Sequence, residues 1–510
     1  MMAQFILAHD VGTGGNKAVL VDTTGKIYST SFEAYSIHYP HPNWAEQNPE
    51  DWWEAISKST RTLLQKSGIS PGQVLAMTFS TQMLGIIPMD SDGSVLRPAI
   101  IWLDERAEAQ AQKLMRKFIS PKVFAKIAGA EMCGKDGMPK LLWLKENEPH
   151  IYRKMCCFLD VGGYLLYRST GRMIIDWTGA SVFGMNLKKK TWLTGVFRYV
   201  GLDPSKFPPL VRSTAVVGTL TPQAAKDLGL LEGTPVVAGA GDAPSAAVGS
   251  GSVGEGEGHA YIGTSGWVGV VTTKTPTGKS GVATIHSADP GKAFLFAESE
   301  MAGGCLDWMA REVCKDVRLP ENSPGIFAYM DSEISGVPPG SGGLIFTPWL
   351  YGERAPVSDT RVRSSFINLS ANHHREHLLR AVYEGVVYNL RWSLEIVEKK
   401  FGFAVPVLRL IGGGAKSGIW MQMLADVTKR KVETVDQPQE AGAVGVALVA
   451  AVGLKIYPDF ESLKTVVHPA QVFEPDAAND KIYDFMFEMY KEVYTSLKGL
   501  YSKMHKESFF

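Results

Sequence analysis

Residues 5–21 read FILAHDVGTGGNKAVLV, and this stretch decides the fold. It contains an apolar run, a glycine-rich segment over residues 12–15, and a second apolar run that ends at Val21. Two short apolar runs joined by a tight glycine turn predict a β-hairpin. No basic segment precedes the first run, so we expect a buried strand there and not a secretory signal peptide.

A second stretch with the same pattern lies later in the chain. Residues 258–273 read GHAYIGTSGWVGVVTT, and residues 235–253 before it predict a strand, a glycine-rich turn and a helix of small residues. One architecture used twice within 510 residues predicts an α/β protein of two layered domains. We place these domains at residues 1–250 and 251–510, with a cleft between them.

Helical and strand patterns surround the two hairpins. The longer segments repeat apolar residues on one face, whereas residues 442–453 are rich in Ala and Gly and suit close packing against a sheet. The predicted helices cover residues 48–66, 377–399, 442–453 and 481–500, and further predicted strands cover residues 74–81 and 85–90.

Charge and cysteine content argue against several classes of protein. The chain has 52 Lys plus Arg and 52 Asp plus Glu, so no net field attracts nucleic acid or an anionic membrane. Five cysteines without a CxxC pair indicate neither a disulfide framework nor a zinc site. The apolar stretch at 442–453 is too short to span a bilayer. We therefore expect a cytoplasmic enzyme without nucleic-acid or membrane partners.

The glycine turn of the first hairpin carries groups that suit a phosphate. Backbone N–H groups at Gly12 and Gly14 can converge on an anion, and Thr13 and Lys17 add a hydroxyl and a positive charge. Asp10 can reach a metal ion through water. The motif is not a Walker A loop, because it lacks GxxxxGK[ST] and leads into a strand. Taken alone, the motif is weak, because a glycine-rich hairpin is more often a purely structural turn.

The second hairpin has the same composition at its turn, namely Gly263, Thr264 and Ser265. Two such turns from two domains can face one polyphosphate from opposite sides. A third glycine-rich segment connects a predicted strand to a predicted helix and suits a flat nucleoside, although a sharp structural connection is the alternative. Its candidate nucleotide-binding residues are Gly413, Gly414, Ala415 and Ser417.

Asp242 is the candidate catalytic base. It lies between Gly241 and Ala243, after an apolar strand and before the helix of small residues. A carboxylate at a turn over a cleft can accept the proton of a hydroxyl during phosphoryl transfer. The alternative is a helix N-cap, for which Asp is well suited.

The motifs together resemble the FGGY family of carbohydrate kinases, and the resemblance runs along nearly the whole chain. The C-terminal signature of that family is nearly met over residues 364–384, with Asn368 where glycine is usual. The N-terminal signature is met only from Lys140 onward, since Gly137 replaces Pro, Ser or Thr. The other matching segments are residues 10–13 and 262–265 (phosphate), 412–415 with 420 and 425–426 (adenosine), 44–49, 52–53 and 102–106.

This resemblance implies a fold, a reaction and a set of site residues. The fold is an actin-like pair of ribonuclease-H-like domains with ATP and sugar between them. The base falls on Asp242 and the acid that holds hydrated Mg²⁺ falls on Asp10. A structural hydrogen bond or core packing is the alternative for each of the residues predicted to bind the sugar beside Asp242, which are Trp44, Gln82, Met83 and Asp104.

The resemblance also bears on which sugar is phosphorylated. Xylulose kinases are the closest match within the family, which implies that D-xylulose is converted to D-xylulose 5-phosphate. Two positions depart from their pattern: Leu84 replaces a histidine and Ala243 replaces an asparagine, so two polar groups are missing. Another ketose, glycerol, gluconate or a signalling polyol is the alternative, as is an actin- or Hsp70-like interaction protein switched by ATP. A homodimer is left open.

Overall fold

The computed structural model describes residues 4–118, 132–278, 281–320 and 322–504. Its first large sheet is built around the N-terminal hairpin and has the strand order β5-β6-β4-β1-β2-β3, with β7 paired to β4. The strands are Phe5–Val11 (β1), Gly15–Asp22 (β2), Ile27–Ala34 (β3), Val74–Thr81 (β4), Val216–Thr219 (β5), Pro235–Val237 (β6) and Ala240–Gly241 (β7).

A second seven-stranded sheet follows, with the order β10-β11-β9-β8-β12-β13-β14. Its strands are Gly258–Ile262 (β8), Gly266–Thr272 (β9), Val282–His286 (β10), Ala293–Ser299 (β11), Val407–Ile411 (β12), Lys431–Val435 (β13) and Pro469–Phe473 (β14). In each sheet a hairpin, β1-β2 or β8-β9, pairs with a parallel neighbour, β4 or β12. The predicted duplication is therefore confirmed at the level of strand pairing.

The helices cover both sheets. They are Pro49–Ser67 (α1), Glu108–Lys117 (α2), Gly137–Asn147 (α3), Pro149–Lys154 (α4), Val161–Thr170 (α5), Trp177–Ser181 (α6), Thr194–Val200 (α7), Pro222–Leu228 (α8), Asp242–Gly249 (α9), Gly304–Glu312 (α10), Ile326–Ile334 (α11), Arg375–Phe401 (α12), Gly418–Thr428 (α13), Ala441–Gly453 (α14) and Asp480–Met504 (α15). Short two-stranded pairs join residues 46–47 with 99–100, 87–89 with 157–159, 175–176 with 210–211, 185–186 with 191–192, and 345–346 with 366–367.

The predicted helices and strands are close to the observed ones. α1 begins at Pro49 because the side chain of Asn48 accepts a hydrogen bond from the Glu50 N–H, and it ends at Gly68, whose φ of 67° suits glycine. The strand predicted over residues 85–90 is shorter, spanning Ile87–Met89, and the chain bends just before it at Met83 and Leu84. Within the described residues, no helix combines the length and the apolar character needed to cross a bilayer.

Two helices cross between the sheets. α14 comes from the second half of the chain but packs on the first sheet, where Val446 and Ala450 join the core that contains Ile6 and Val19. α9 comes from the first half, and its residue Ala246 joins a core on the second sheet. The two helices contact each other closely, since a Cβ added at Gly445 would lie 1.9 Å from the Ser245 carbonyl oxygen. This helix pair links the two halves of the molecule.

Candidate active site

The two candidate catalytic aspartates lie at neighbouring strand ends. Asp10 in β1 is in register with Ser80 in the parallel strand β4, and Ser80 is in register with Ala240 in β7. Asp242 follows β7 and opens α9. Because parallel strands end at the same edge of a sheet, both carboxylates face the same crevice. The charge of Asp10 also raises the pKa of Asp242.

Asp242 is partly buried at the first position of α9. The N-cap is Gly241, so the alternative role of Asp242 as the N-cap of this helix is wrong. Its Oδ1 accepts one hydrogen bond, from the Ala243 N–H at 2.8 Å. The pKa of Asp242 is raised to about 7, chiefly by burial, while the Ala243 N–H lowers it and the charges of Asp10 and Glu298 raise it. A carboxyl group with this pKa suits a general base near neutral pH.

The surroundings of Asp10 fit a hydrated cation. Its Oδ1 accepts a hydrogen bond from Ser80 Oγ at 2.8 Å, and burial raises its pKa. A Cβ added at Gly442 would lie 3.0 Å from Asp10 Oδ2, so the absent side chain leaves space beside the carboxylate. The described residues contain no cluster of three His, Cys, Asp or Glu side chains that could hold a metal alone. One carboxylate with water ligands is the arrangement that Mg²⁺ commonly takes beside phosphates.

Both glycine turns present unused backbone donors. Within the described residues, no acceptor bonds the N–H groups of four turn residues, which are Thr13, Gly14, Thr264 and Ser265. We name residues 12–14 the first turn and residues 263–265 the second turn. Free N–H groups in a glycine turn form a concave site for an anion.

Side chains from outside the first sheet hold the first turn. The Trp102 indole N–H donates to Thr13 Oγ1 at 2.8 Å, and Gln47 Nε2 donates to the Thr13 carbonyl oxygen at 2.8 Å. Gln82 Nε2 donates to Gln47 Oε1 at 2.8 Å and to the Gly12 carbonyl oxygen at 3.3 Å. Gln82 Oε1 is buried without a partner in the described part of the chain. The predicted residue Gln82 is thus connected to the phosphate turn.

Lys17 is in a different position from the one its sequence suggested. Its ammonium donates to the Gln439 carbonyl oxygen at 2.8 Å and lies 3.1 Å from Glu440 Oε2. Both partners precede α14, so Lys17 bridges the two halves of the chain. Its charge is already matched by that of Glu440.

Backbone groups hold the second turn. The N–H groups of Ala302 and Gly304 donate to the Thr264 carbonyl oxygen at 2.9 and 3.0 Å, and Gly303 donates to the Gly263 carbonyl oxygen at 2.8 Å. A Cβ added at Gly303 would lie 2.6 Å from that Gly263 oxygen. Residues 302–304 were missed at the level of sequence, although two adjacent glycines before a helix are the signal that could have found them.

Tyr261 is a second residue that sequence reasoning missed. Its ring stacks on Trp267 with centroids 3.9 Å apart, and its hydroxyl lies beside the second turn, 2.2 Å from where a Cβ on Gly263 would be. Burial raises the pKa of Tyr261 to about 12, and the charges of Asp10 and Asp242 add to this rise. Tyr261 therefore lies beside the second turn and within range of the charges of both candidate catalytic aspartates.

The triple-glycine segment adjoins the second turn. Gly412 has a φ of 90°, and a Cβ there would lie 2.6 Å from the Ile262 carbonyl oxygen. A short 3₁₀ helix over Gly413–Lys416 follows, so the predicted residues Gly413, Gly414 and Ala415 all belong to it. The predicted residue Ser417 caps α13, its Oγ accepting from the Trp420 N–H at 3.2 Å. The nucleoside segment and the second turn thus form one continuous wall.

Two of the predicted sugar residues have mainly structural partners. The Asp104 carboxylate is fully buried and accepts from the Ala45 N–H at 2.7 Å and from the Arg106 guanidinium at 2.6 Å. Trp44 lies under that guanidinium, whose Cζ is 3.8 Å from its ring centroid. Asp104 therefore holds the segment that carries Trp44 and offers no exposed oxygen of its own. Sequence spacing reveals neither the direction of this side chain nor its partner.

The remaining sugar position lies beside the base. A Cβ added at Gly241, the N-cap residue before Asp242, would lie 2.6 Å from the Met83 sulfur, so Met83 contacts the catalytic turn. Leu84 follows in the left-handed region with a φ of 62°. Ala243, at the other departure from the xylulose kinase pattern, is buried in the core between the sheets. Both departures thus replace a polar group with an apolar one near Asp242.

An ion cluster near Asp242 joins the two halves of the chain. Lys135 lies 3.0 Å from Glu300 and 3.2 Å from Glu105, and Arg354 lies 2.8 Å from both Glu298 and Glu300. We name these residues the cleft ion cluster. Sequence reasoning missed it, because its members are far apart in the chain and spacing does not show that they meet.

The chain matches known proteins along nearly its whole length. Models of the N-terminal and C-terminal domains of the FGGY family of carbohydrate kinases match residues 5–249 and 258–454. The xylulose kinase of Bacillus subtilis (strain 168) is 31% identical over 502 residues, which cover 98% of each chain. The gluconokinase of Bacillus licheniformis is 27% identical over 506 residues, which cover 99% of this chain and 98% of that protein.

A solved structure shows the same architecture. The ligand-bound xylulose kinase from Lactobacillus acidophilus superposes with a TM-score of 0.90 at 24% identity and covers 98% of this chain and 100% of that one. This likeness confirms the predicted actin-like α/β fold of two domains. Together with the two matching domain models and the full-length relatives, it shows that the chain belongs to the FGGY family of carbohydrate kinases.

Proposed function

We propose that this carbohydrate kinase transfers the γ-phosphoryl group of ATP to a hydroxyl of D-xylulose, giving ADP and D-xylulose 5-phosphate. One observation carries the proposal: Asp10 and Asp242 lie at neighbouring strand ends, and the first turn, with its unused N–H groups, directly follows the strand of Asp10. Tyr261, whose pKa the charges of both aspartates raise, lies beside the second turn. The resemblance to relatives named xylulose kinase supports the choice of sugar.

In the proposed mechanism, Asp242 accepts the proton of the attacking sugar hydroxyl while the oxygen of that hydroxyl bonds to the γ-phosphorus and ADP leaves. The N–H groups of Thr13, Gly14, Thr264 and Ser265 hold the phosphates in line with that oxygen. Asp10 would hold hydrated Mg²⁺ beside the phosphates. Mg²⁺, when bound, neutralises charge on the transferring group.

We further propose that residues 1–250 supply the sugar side of the cleft and residues 251–510 the nucleotide side. Met83 and Asp242 belong to the first range, and the wall formed by the second turn and Gly413–Lys416 belongs to the second. The cytoplasm, where ATP is available, is the proposed location.

The charges near Asp242 favour a neutral sugar over an aldonate. Within the described residues, both cations of the cleft ion cluster already face carboxylates, and Glu298 adds negative charge near Asp242. A substrate carboxylate would find no unmatched cation in that cluster and would be repelled by Asp10 and Asp242. The relative named gluconokinase keeps gluconate as the second candidate.

The experiment is sugar-dependent ADP release by Asp242→Asn. We expect a loss of at least about 1000-fold in kcat, while ATP affinity changes less than about threefold, because the base acts only during transfer. Asp316→Asn, which removes an exposed carboxylate, serves as the control. Turnover by Asp242→Asn near the wild-type rate would show that the base is assigned to the wrong residue.

The same assay tests the pH dependence and the class of protein. Asp242 must be deprotonated to accept a proton, so kcat/KM for sugar should fall about tenfold per pH unit as the pH is lowered below about 7. A panel of xylulose, ribulose, glycerol and gluconate identifies the acceptor. ATP hydrolysis that no member of the panel stimulates would favour an ATP-switched interaction protein instead.

A further inference from the structure

Lys140 is a buried ammonium that the proposed reaction does not use. It lies in α3, and its side chain has no exposed surface. Its Nζ donates to the Ile101 carbonyl oxygen at 2.7 Å and lies 3.5 Å from the Leu84 carbonyl oxygen. In the described part of the chain, no carboxylate lies within 4 Å of it. Burying a charge without a partner costs several kcal/mol, so its presence calls for a reason.

The two carbonyl groups belong to two loops of the crevice. Leu84 follows Met83, whose sulfur contacts the turn before Asp242, and it has the left-handed φ of 62°. Ile101 precedes Trp102, whose indole N–H holds Thr13 of the first turn. The Lys140 ammonium thus contacts both the loop at Leu84, beside the proposed base, and the loop at Ile101, beside the first turn.

We propose that Lys140 is a positioning residue that fixes the sugar against Asp242 by holding the Leu84 and Ile101 carbonyl groups together. The inference rests on the proposed kinase function and adds a residue to it. Lys140 contacts neither substrate in this scheme. It acts through the two loops, so its loss should weaken use of the sugar far more than binding of ATP.

The charge of Lys140 is finely balanced. Burial lowers the pKa of Lys140 to about 7. The charges of Asp104, Asp136 and Cys133 raise this pKa, and that of Arg354 lowers it. Because a charged donor bonds a carbonyl more strongly than a neutral one, the hold on both loops should weaken as pH rises through 7.

The first test compares Lys140→Met with Lys145→Met. Lys145 lies on the same helix, but its side chain is exposed; its ammonium donates to the Gly201 carbonyl oxygen and lies 5.9 Å from the Tyr152 ring centroid. We expect Lys140→Met to lower kcat/KM for D-xylulose at least tenfold and to change ATP affinity less than threefold, whereas Lys145→Met should match the wild type. Equal kcat/KM in Lys140→Met and the wild type would overturn the proposal.

Thermal unfolding of the same variants separates positioning from stability. Lys140 has no carboxylate partner within the described residues, and replacing its ammonium with an apolar side chain of similar size removes the cost of burying that charge. Ile101 O also keeps the Asp104 N–H, at 3.1 Å. We therefore expect Lys140→Met to melt no lower than the wild type. If Lys140→Met melts lower than the wild type, Lys140→Gln is measured as well, because glutamine retains an N–H donor. Wild-type kcat/KM in folded Lys140→Gln, together with full loss in Lys140→Met, still supports the proposal. Equal losses in both variants overturn it.

The second test is the pH dependence of D-xylulose binding in the Asp242→Asn background, which removes the titration of the base. We expect the Kd to rise at least threefold from pH 6 to pH 8, and this rise to disappear in Asp242→Asn/Lys140→Met. The same pH dependence in both proteins would overturn the role of Lys140. A failure of the kinase proposal is distinct, because the wild type would then show no sugar-dependent ADP release.

Discussion

The first and second turns have the same composition but are held in different ways. Side chains of Trp102, Gln47 and Gln82 hold the first turn, whereas the backbone of residues 302–304 holds the second. Their glycines differ too: a Cβ on Gly14 would meet no atom within 4 Å, but one on Gly263 would collide with Tyr261. The first turn is therefore open and held by side chains from other segments, and the second is packed into its own sheet.

Among changes that test the contrast between the turns, we expect the largest effect on ATP affinity and stability from the pair Gly14→Ala and Gly263→Ala. The Gly14 methyl would fill only space proposed for phosphate, so ATP affinity should fall at least tenfold while the melting temperature stays unchanged. The Gly263 methyl would displace Tyr261, which is stacked on Trp267, so stability should fall by about 1–3 kcal/mol as well. Calorimetric ATP titration and thermal unfolding measure both quantities.

Gly195→Ala is the control for this pair, because a Cβ there also meets nothing within 4 Å and the position lies in the distant helix α7. Loss of stability in Gly14→Ala, or unchanged ATP affinity in it, would remove the contrast between the turns.

A smaller effect is expected from Trp102→Phe, which removes the donor to Thr13 Oγ1. One hydrogen bond contributes about 1 kcal/mol, so the KM for ATP should rise about fivefold. Trp392→Phe is matched to it, since the described residues provide no acceptor for the indole N–H of Trp392. If both variants keep the wild-type KM, side chains do not determine the position of the first turn.

The smallest effect should come from Lys17→Met. Its ammonium contacts Gln439 and Glu440, and partly exposed ion pairs contribute well under about 1 kcal/mol, so the KM for ATP should rise about twofold. Lys58→Met, which breaks an exposed pair with Glu33, is the control. A loss near 100-fold would instead mean that Lys17 leaves Glu440 to bind phosphate, as its place in the hairpin predicted.

Local pattern was enough to predict much of this molecule. The hairpins, the duplicated sheets and the position of Asp10 depend on short stretches whose glycines and apolar runs determine the backbone. Asp242 was predicted as either a base or a cap, and the structure places the cap at Gly241. The base assignment itself stays a prediction.

What sequence could not predict depends on partners far apart in the chain. Asp104 matches a family motif, but its carboxylate is directed to Arg106 and Ala45, and spacing does not encode that direction. Lys135 and Glu300 meet only because the two halves fold against each other. Tyr261 is two residues before the second turn, yet only the stack on Trp267 shows why it is there.

The crossed pair of helices has a consequence for dividing the chain. A fragment that ends near residue 250 would lack α14 and would leave Ile6 and Val19 uncovered, while the complementary fragment would lack α9 from its own interior. We therefore expect neither fragment to fold stably alone. When both fragments are produced together, we expect them to associate and to restore kinase activity.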